Sequence, residues 1–144
     1  MNSDFTVGLH VVGYLTARGG EPVTSETLAE TYGTNPVVVR RVLSKLSRAG
    51  LVETRRGVGG GSVLAGDASA FTLRDVYQAV TEDQELLRRH PGDESGVAKV
   101  MADYINALYD DAEEALLKRL ESVTIKQMDA AIRPRACRAI RRSR

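Results

Sequence analysis

Residues 35–62, NPVVVRRVLSKLSRAGLVETRRGVGGGS, decide the fold. They predict a basic helix, a short strand and a glycine-rich turn in immediate succession, which is the layout of a winged helix-turn-helix. Asn35 is a strong N-cap. Pro36 suits the first helical position, because its fixed φ fits the helix and its missing N–H would be unpaired there anyway. Val39, Val42, Leu43 and Leu46 recur at three- and four-residue spacing as one apolar stripe, while Arg40, Arg41, Ser44, Lys45 and Arg48 fall largely off it. Gly50 closes the helix. Such an element has one face to bury and one to offer to an anion, as a helix that reads the major groove must.

The flanking segments extend this pattern in both directions. Upstream, Val23 and Leu28 stand at the two positions of a hydrophobic staple around Thr24. Thr24 therefore caps a short helix that reaches about Tyr32, and Gly33 and Thr34 make the turn. The first helix of such a pair crosses the DNA backbone with its N-terminus towards a phosphate, which makes Thr24 and Ser25 candidate phosphate ligands. Downstream, 51–55 and 62–65 read as two short strands joined by RGVGGG, the wing. Arg55 and Arg56 at its base can reach a phosphate or a narrow minor groove, and Gly57 and Gly59 let the backbone come close. A nucleotide-binding loop is the rival reading of these glycines. It fails because GxxxxGK[ST] is absent and Ser62 stands where the third glycine of GxGxxG belongs.

Charge separates this segment from an ordinary exposed helix face, which mixes signs. Between Asn35 and Arg56 six basic residues face one acid, Glu53, although the whole chain of 144 residues carries a formal charge of only +1. Residues 72–132 hold seven basic and thirteen acidic side chains, and 133–144 hold six arginines and no acid. A local basic patch on a nearly neutral chain is the footprint of a nucleic-acid reader. Within it, Val37, Val38, Arg40 and Arg41 are the candidates for base contact, valines for thymine methyls and arginines for guanine O6 and N7. Val38 also has a core reading, and Arg40 a phosphate one.

With these motifs in view, the chain resembles the Rrf2 family of bacterial transcription regulators over nearly its whole length. The resemblance rests on the opening helix 5–17, Thr24-Ser25 with Leu28-Ala29, NPVVVRRVLSKL, AGLVETRRGVGGG, FTLRDVYQAV at 71–80, and a long penultimate helix followed by Thr124-Ile125. It implies a homodimeric winged-helix repressor or activator that binds double-stranded DNA at a partly palindromic operator, with Asn35, Pro36, Ser44, Lys45 and the wing among the contacts. Many members hold an iron–sulfur cluster on three cysteines between the helix after the wing and the long helix. Here that segment, TEDQELLRRHPGDESG at 81–96, has none, and NPVVVRR with His90-Pro91 is similar to the branch without a cluster. Cluster ligation needs thiolates or imidazoles, so no metal and no cofactor are expected.

The remainder concerns how the reader is held. Thr72 and Asp75 form a capping box for a helix carrying Leu73, Val76, Tyr77 and Val80. From 95 to about 123 runs the longest periodic segment, with Val97, Val100, Met101, Tyr104, Ile105, Leu108, Ala112, Ala115, Leu116 and Leu120 along one stripe. At about 1.5 Å per residue it extends on the order of 40 Å, longer than a small domain covers by itself, so the stripe calls for a second copy. Thr124 and Gln127 cap a final short helix. The expected class is mainly α with a small β-wing, a winged helix-turn-helix plus a long dimerisation helix. Its divisions are 1–80 for the DNA-binding domain, 81–95 for a linker loop, 96–132 for dimerisation helices and 133–144 for a basic tail, ordered or not.

Other chemistry is sparse. Cys137 is the sole cysteine, which excludes a disulfide or a CxxC metal site within one chain. Arg135 and Arg138 beside it favour the thiolate, so redox sensing stands against an incidental thiol. His10 reads as a core or interface histidine and His90 as a turn residue, and no catalytic grouping is present. The expectation is a regulator and not an enzyme. No apolar run approaches about 18 residues and MNSDFTVGLH has no basic n-region, which points to the cytoplasm and away from membranes. A protein–protein adaptor, and a sensor with a small molecule near Tyr77, Leu86, His90 or Tyr104, stay open as alternatives. The effector is not legible.

Overall fold

The computed structural model describes residues 3–81 and 96–142, with side chains as far as Ala136. Six helices and one two-stranded sheet make up the described chain: α1 (Ser3–Ala17), α2 (Ser25–Tyr32), α3 (Pro36–Arg48), β1 (Val52–Arg55), β2 (Gly61–Leu64), α4 (Leu73–Val80), α5 (Gly96–Glu121) and α6 (Ile125–Arg142). The 81–95 linker, except for Thr81, lies outside the described residues, and with it Leu86 and His90.

The capping chemistry expected at each helix start is in place. The Thr24 hydroxyl accepts from the Thr27 N–H at 3.2 Å and the Asn35 Oδ1 from the Val37 N–H at 2.8 Å. Thr72 and Asp75 form a reciprocal box, as do Thr124 and Gln127. Each satisfies amide donors that the first helical turn would otherwise leave open. At the end of α3, Gly50 N–H reaches the Ser47 carbonyl at 3.0 Å and Leu51 N–H the Leu46 carbonyl at 2.9 Å. This closure needs the left-handed φ of +76° at Gly50, and it delivers the chain directly into β1.

Val39, Val42 and Leu46 of α3 are fully buried, together with Val11, Val12 and Leu15 of α1, Leu28 of α2 and Val76 and Val80 of α4. Each such side chain contributes on the order of 1.5–3 kcal/mol on leaving water. α3 is thus packed against α1, α2 and α4. β1 and β2 pair antiparallel with Val52 opposite Leu64 and Arg55 opposite Gly61. The wing also has a third partner, invisible to strand patterning: Val23 exchanges two hydrogen bonds with Ser62, at 3.0 and 2.8 Å. A Cβ on Gly61 would lie 2.6 Å from the Val23 carbonyl oxygen, so the close approach requires glycine there.

The C-terminal half shows two features that the sequence patterns do not display. First, the turn between α5 and α6 is stitched to the start of α4, Leu73 N–H to the Val123 carbonyl and Ile125 N–H to the Phe71 carbonyl, each at 2.9 Å. Ile125 is fully buried in the same core as α1 and α4. Second, α6 is not a short helix followed by a tail at 133–144; it continues to Arg142, through Pro134. The proline forfeits a hydrogen bond to the carbonyl of Ala130. Alanine and arginine neighbours favour the helix, and Arg133 pairs with Asp129 one turn back at 2.7 Å. In α5 the expected stripe is largely bare: only Ala102 is buried, while Leu108 is 49% and Val97 80% exposed, with Val100, Met101 and Tyr104 between them. Among the described residues no helix is long and apolar enough to cross a membrane.

Candidate nucleic-acid interface

α2, α3 and the wing enclose an open concavity of about 630 Å³. Thr24, Ser25, Arg40, Ser44, Arg55 and Gly57 all line it, so the fold gathers residues from three separate stretches of sequence onto one surface. Glu26, Ser47, Arg48 and Thr54 line it too. In sequence Arg48 is legible only as part of the basic run, and Glu26 carries no signal of its own. Arg56 and Gly59 are exposed on the wing beyond the concavity, where Val58 is fully exposed at the tip. At the start of α3, Val37 is 63% exposed and Val38 is half-buried, while Asn35 and Pro36 serve the helix end.

Three of the four basic side chains of α3 divide between two neighbours. On the α2 side, the Arg40 guanidinium meets the Glu26 carboxylate, and its Nε donates to Ser25 Oγ at 3.3 Å. On the α1 side, Asp4 is buried and takes Arg41 at 2.5 Å and Lys45 at 3.0 Å. Lys45 Nζ also donates to the Val80 carbonyl at 3.1 Å, at the end of α4. Burial alone would raise the Asp4 carboxyl, but hydrogen bonds and charge from Arg41 and Lys45 outweigh it and hold the group below its ordinary value. Arg41 remains half exposed, whereas the Lys45 side chain is only 20% exposed and turned inward. Asp4 escaped sequence reading because its partners lie 37 and 41 residues away and no periodicity links them.

His10 does not meet the core reading. It is exposed, with its ring set edge-on to Tyr32 at 4.4 Å. The Tyr32 hydroxyl donates to the His10 carbonyl at 2.8 Å, and burial, then the nearby Tyr14, push that phenol up to about 12. These residues edge an apolar groove of about 650 Å³ between α1 and α6, walled by Leu9, Tyr14, Met128 and Ile132. It lies away from the ligand position expected at Tyr77 and Tyr104: Tyr77 is buried, with its hydroxyl facing Glu113 at 3.4 Å. Cys137 lies on α6, and its side chain is outside the described residues.

A capped helical pair, a basic second helix and a two-stranded wing in this order match a known group of regulators. The family model Rrf2, described as an iron-dependent transcriptional regulator, matches residues 1–131. The chain belongs to the Rrf2 family. Among its relatives, YwnA of Bacillus subtilis, which bears the name of an HTH-type transcriptional regulator, is 32% identical over 130 residues, 89% of this chain and 96% of YwnA. The HTH-type transcriptional regulator IscR of Klebsiella pneumoniae is 31% identical over 108 residues, 74% of this chain and 64% of IscR. The structure of CymR, the global cysteine regulator of B. subtilis, shares the fold at a TM-score of 0.66 and 22% identity, with 91% of this chain and 96% of CymR covered. A Lactobacillus plantarum protein aligns at a TM-score of 0.76 and 25% identity over 92% of this chain and 91% of its own. This Rrf2 protein is therefore a DNA-binding regulator of transcription and not an enzyme.

Proposed function

We propose that this Rrf2 regulator is a homodimeric repressor that binds a pseudo-palindromic operator in the cytoplasm, without an iron–sulfur cluster. The observation that carries the reading is the concavity between α2, α3 and the wing, with Arg40, Arg48 and Arg55 on its walls. Its hydroxyl and arginine groups suit phosphates, and Val37, Val38, Arg40 and Arg41 at the start of α3 suit base edges. Arg56, Gly57 and Gly59 place the wing against the neighbouring groove, and Asn35 with Pro36 sets the angle at which α3 enters. Lys45 is left out of this contact set, because its side chain is only 20% exposed, with the ammonium held by Asp4 and Val80, whereas Arg41 shares Asp4 and stays 54% exposed.

One recognition helix spans only a few base pairs. Two of them set about 34 Å apart by a two-fold axis read two half-sites, and the operator then mirrors the protein. The bare row Val97, Val100, Met101, Tyr104 and Leu108 supports pairing through α5, since an apolar row of that length is costly in water. The absence of a cluster rests on the donor set: one cysteine, Cys137, is present in the whole sequence, and three thiolates cannot come from it. Selection of bound duplexes from a random pool, followed by sedimentation of the free protein and the complex, tests the reading. A two-fold-related consensus and a dimer are expected; a monomer, or no enrichment of any sequence, would overturn it. Tyr104→Glu with Leu108→Glu is expected to yield a monomer whose operator affinity falls by at least tenfold.

A further inference from the structure

The concavity that α2, α3 and the wing enclose is basic except at one point. Glu26 is the single acid among the described residues that line it. Its carboxylate sits in the first turn of α2, where free amides and the helix dipole would otherwise draw a phosphate. One of its oxygens meets the Arg40 guanidinium, the other accepts from Ser25 Oγ at 3.1 Å, and Ser25 in turn takes the Arg40 Nε. An anion of the protein's own is thus lodged where the DNA backbone is expected, on the arginine expected to bind it.

We propose that Glu26 is a specificity-determining residue: it holds Arg40 back from phosphates in general and releases it where base contacts replace the pairing. This rests on the DNA-reading surface described above. Nonspecific binding is made almost wholly of cation–phosphate contacts, so an intramolecular carboxylate on Arg40 subtracts from that term. At the operator the same arginine gains base-edge hydrogen bonds, which supply what the released pair loses. The strength of the pair fits the task. Both side chains are 57% exposed, and exposed pairs are weak enough to open on the right partner. Hydrogen bonds from Arg40, from its own amide and from Ser25 hold the Glu26 carboxyl below its ordinary value, so the restraint stays charged throughout the neutral range.

The test is Glu26→Gln, which keeps the shape of an exposed side chain and removes its charge, in the full chain. Affinities for a random duplex and for the selected operator are measured across a potassium chloride series. The proposal expects about two- to fivefold tighter binding to the random duplex, a smaller gain on the operator, and a log–log salt slope steeper by about one on random DNA. In an Arg40→Gln background these gains disappear. Unchanged or weaker binding to both DNAs would overturn the proposal and make Glu26 a group that orients Arg40 or reads a base. The same gain without Arg40 would overturn it as well, leaving only general charge repulsion. A wild-type chain that binds no duplex in a salt-dependent way would remove the DNA-reading surface itself, a result distinguishable from the other two.

Discussion

Asp4→Asn withdraws a buried negative charge that Lys45 and Arg41 share, and it does so without changing the shape of the side chain. Asp4 is 6% and Lys45 20% exposed, so the amide leaves an ammonium in a nearly dry site with no opposing charge, the Val80 carbonyl still accepting from it. Breaking a fully buried pair costs about 3–5 kcal/mol; with the residual solvent at Lys45 the expected loss is about 2–3 kcal/mol. For a chain of this length that lowers the thermal midpoint by roughly 5–10 °C. Circular-dichroism melts at fixed protein concentration read the change. Adding Lys45→Met, which removes the stranded charge and keeps the volume, is expected to recover most of it. pH gives a second readout. Because the folded Asp4 carboxyl lies below its ordinary 3.8, its stabilisation is complete above that value and is lost as pH falls through the folded value. The gap between wild type and Asp4→Asn should therefore be constant at neutral pH and narrow only in acid. A fall of less than about 2 °C, or no recovery in the double variant, would refute the argument that the α1–α3 junction depends on this charge.

Three further outcomes follow from the same structure. Gly61→Ala forces a Cβ to within 2.6 Å of the Val23 carbonyl oxygen and should cost about 2 kcal/mol in a denaturant titration, with the loss traced to the Val23 bridge by amide exchange; a neutral substitution would mean that the bridge is not held. Arg41→Ala should relax sequence preference at one operator position, whereas Arg56→Ala should weaken binding on matched and scrambled DNA alike. Equal losses on both DNAs for Arg41→Ala would reduce it to a phosphate contact. Protein purified without oxygen should show no charge-transfer absorption in the visible, and a band stoichiometric with iron would contradict the donor-set argument.

The elements that were legible in sequence are those governed by local physics. Asn35-Pro36, Thr24, Thr72 with Asp75 and Thr124 with Gln127 mark helix starts because a cap acts within three residues of itself. The stripe Val39, Val42, Leu46 marks the buried face of α3 because helical geometry alone sets its spacing. Three of the four strand ends shifted by one residue, giving Val52–Arg55 and Gly61–Leu64, without changing the wing. The inner end of α6 was legible through its cap, but its length was not, since one proline and a run of arginines read as a stop while the helix continues to Arg142.

By itself, then, the sequence determined the succession of helices and strands, the face of each that turns inward, and the basic character of the reading surface, since all three depend on neighbours a few residues apart. Tertiary structure alone decided which acid each basic group meets and how far it stays exposed. Arg41 and Lys45 differ from Arg40 by one helical face, yet Asp4 takes the first two and Glu26 the third, because α1 brings Asp4 and α2 brings Glu26 against different parts of α3. It also decided that Val23 closes the wing and that Ile125 fills the core beside α1. Pairing of charges and exclusion of water act through space between residues far apart in the chain, and no local pattern of residue types encodes that distance.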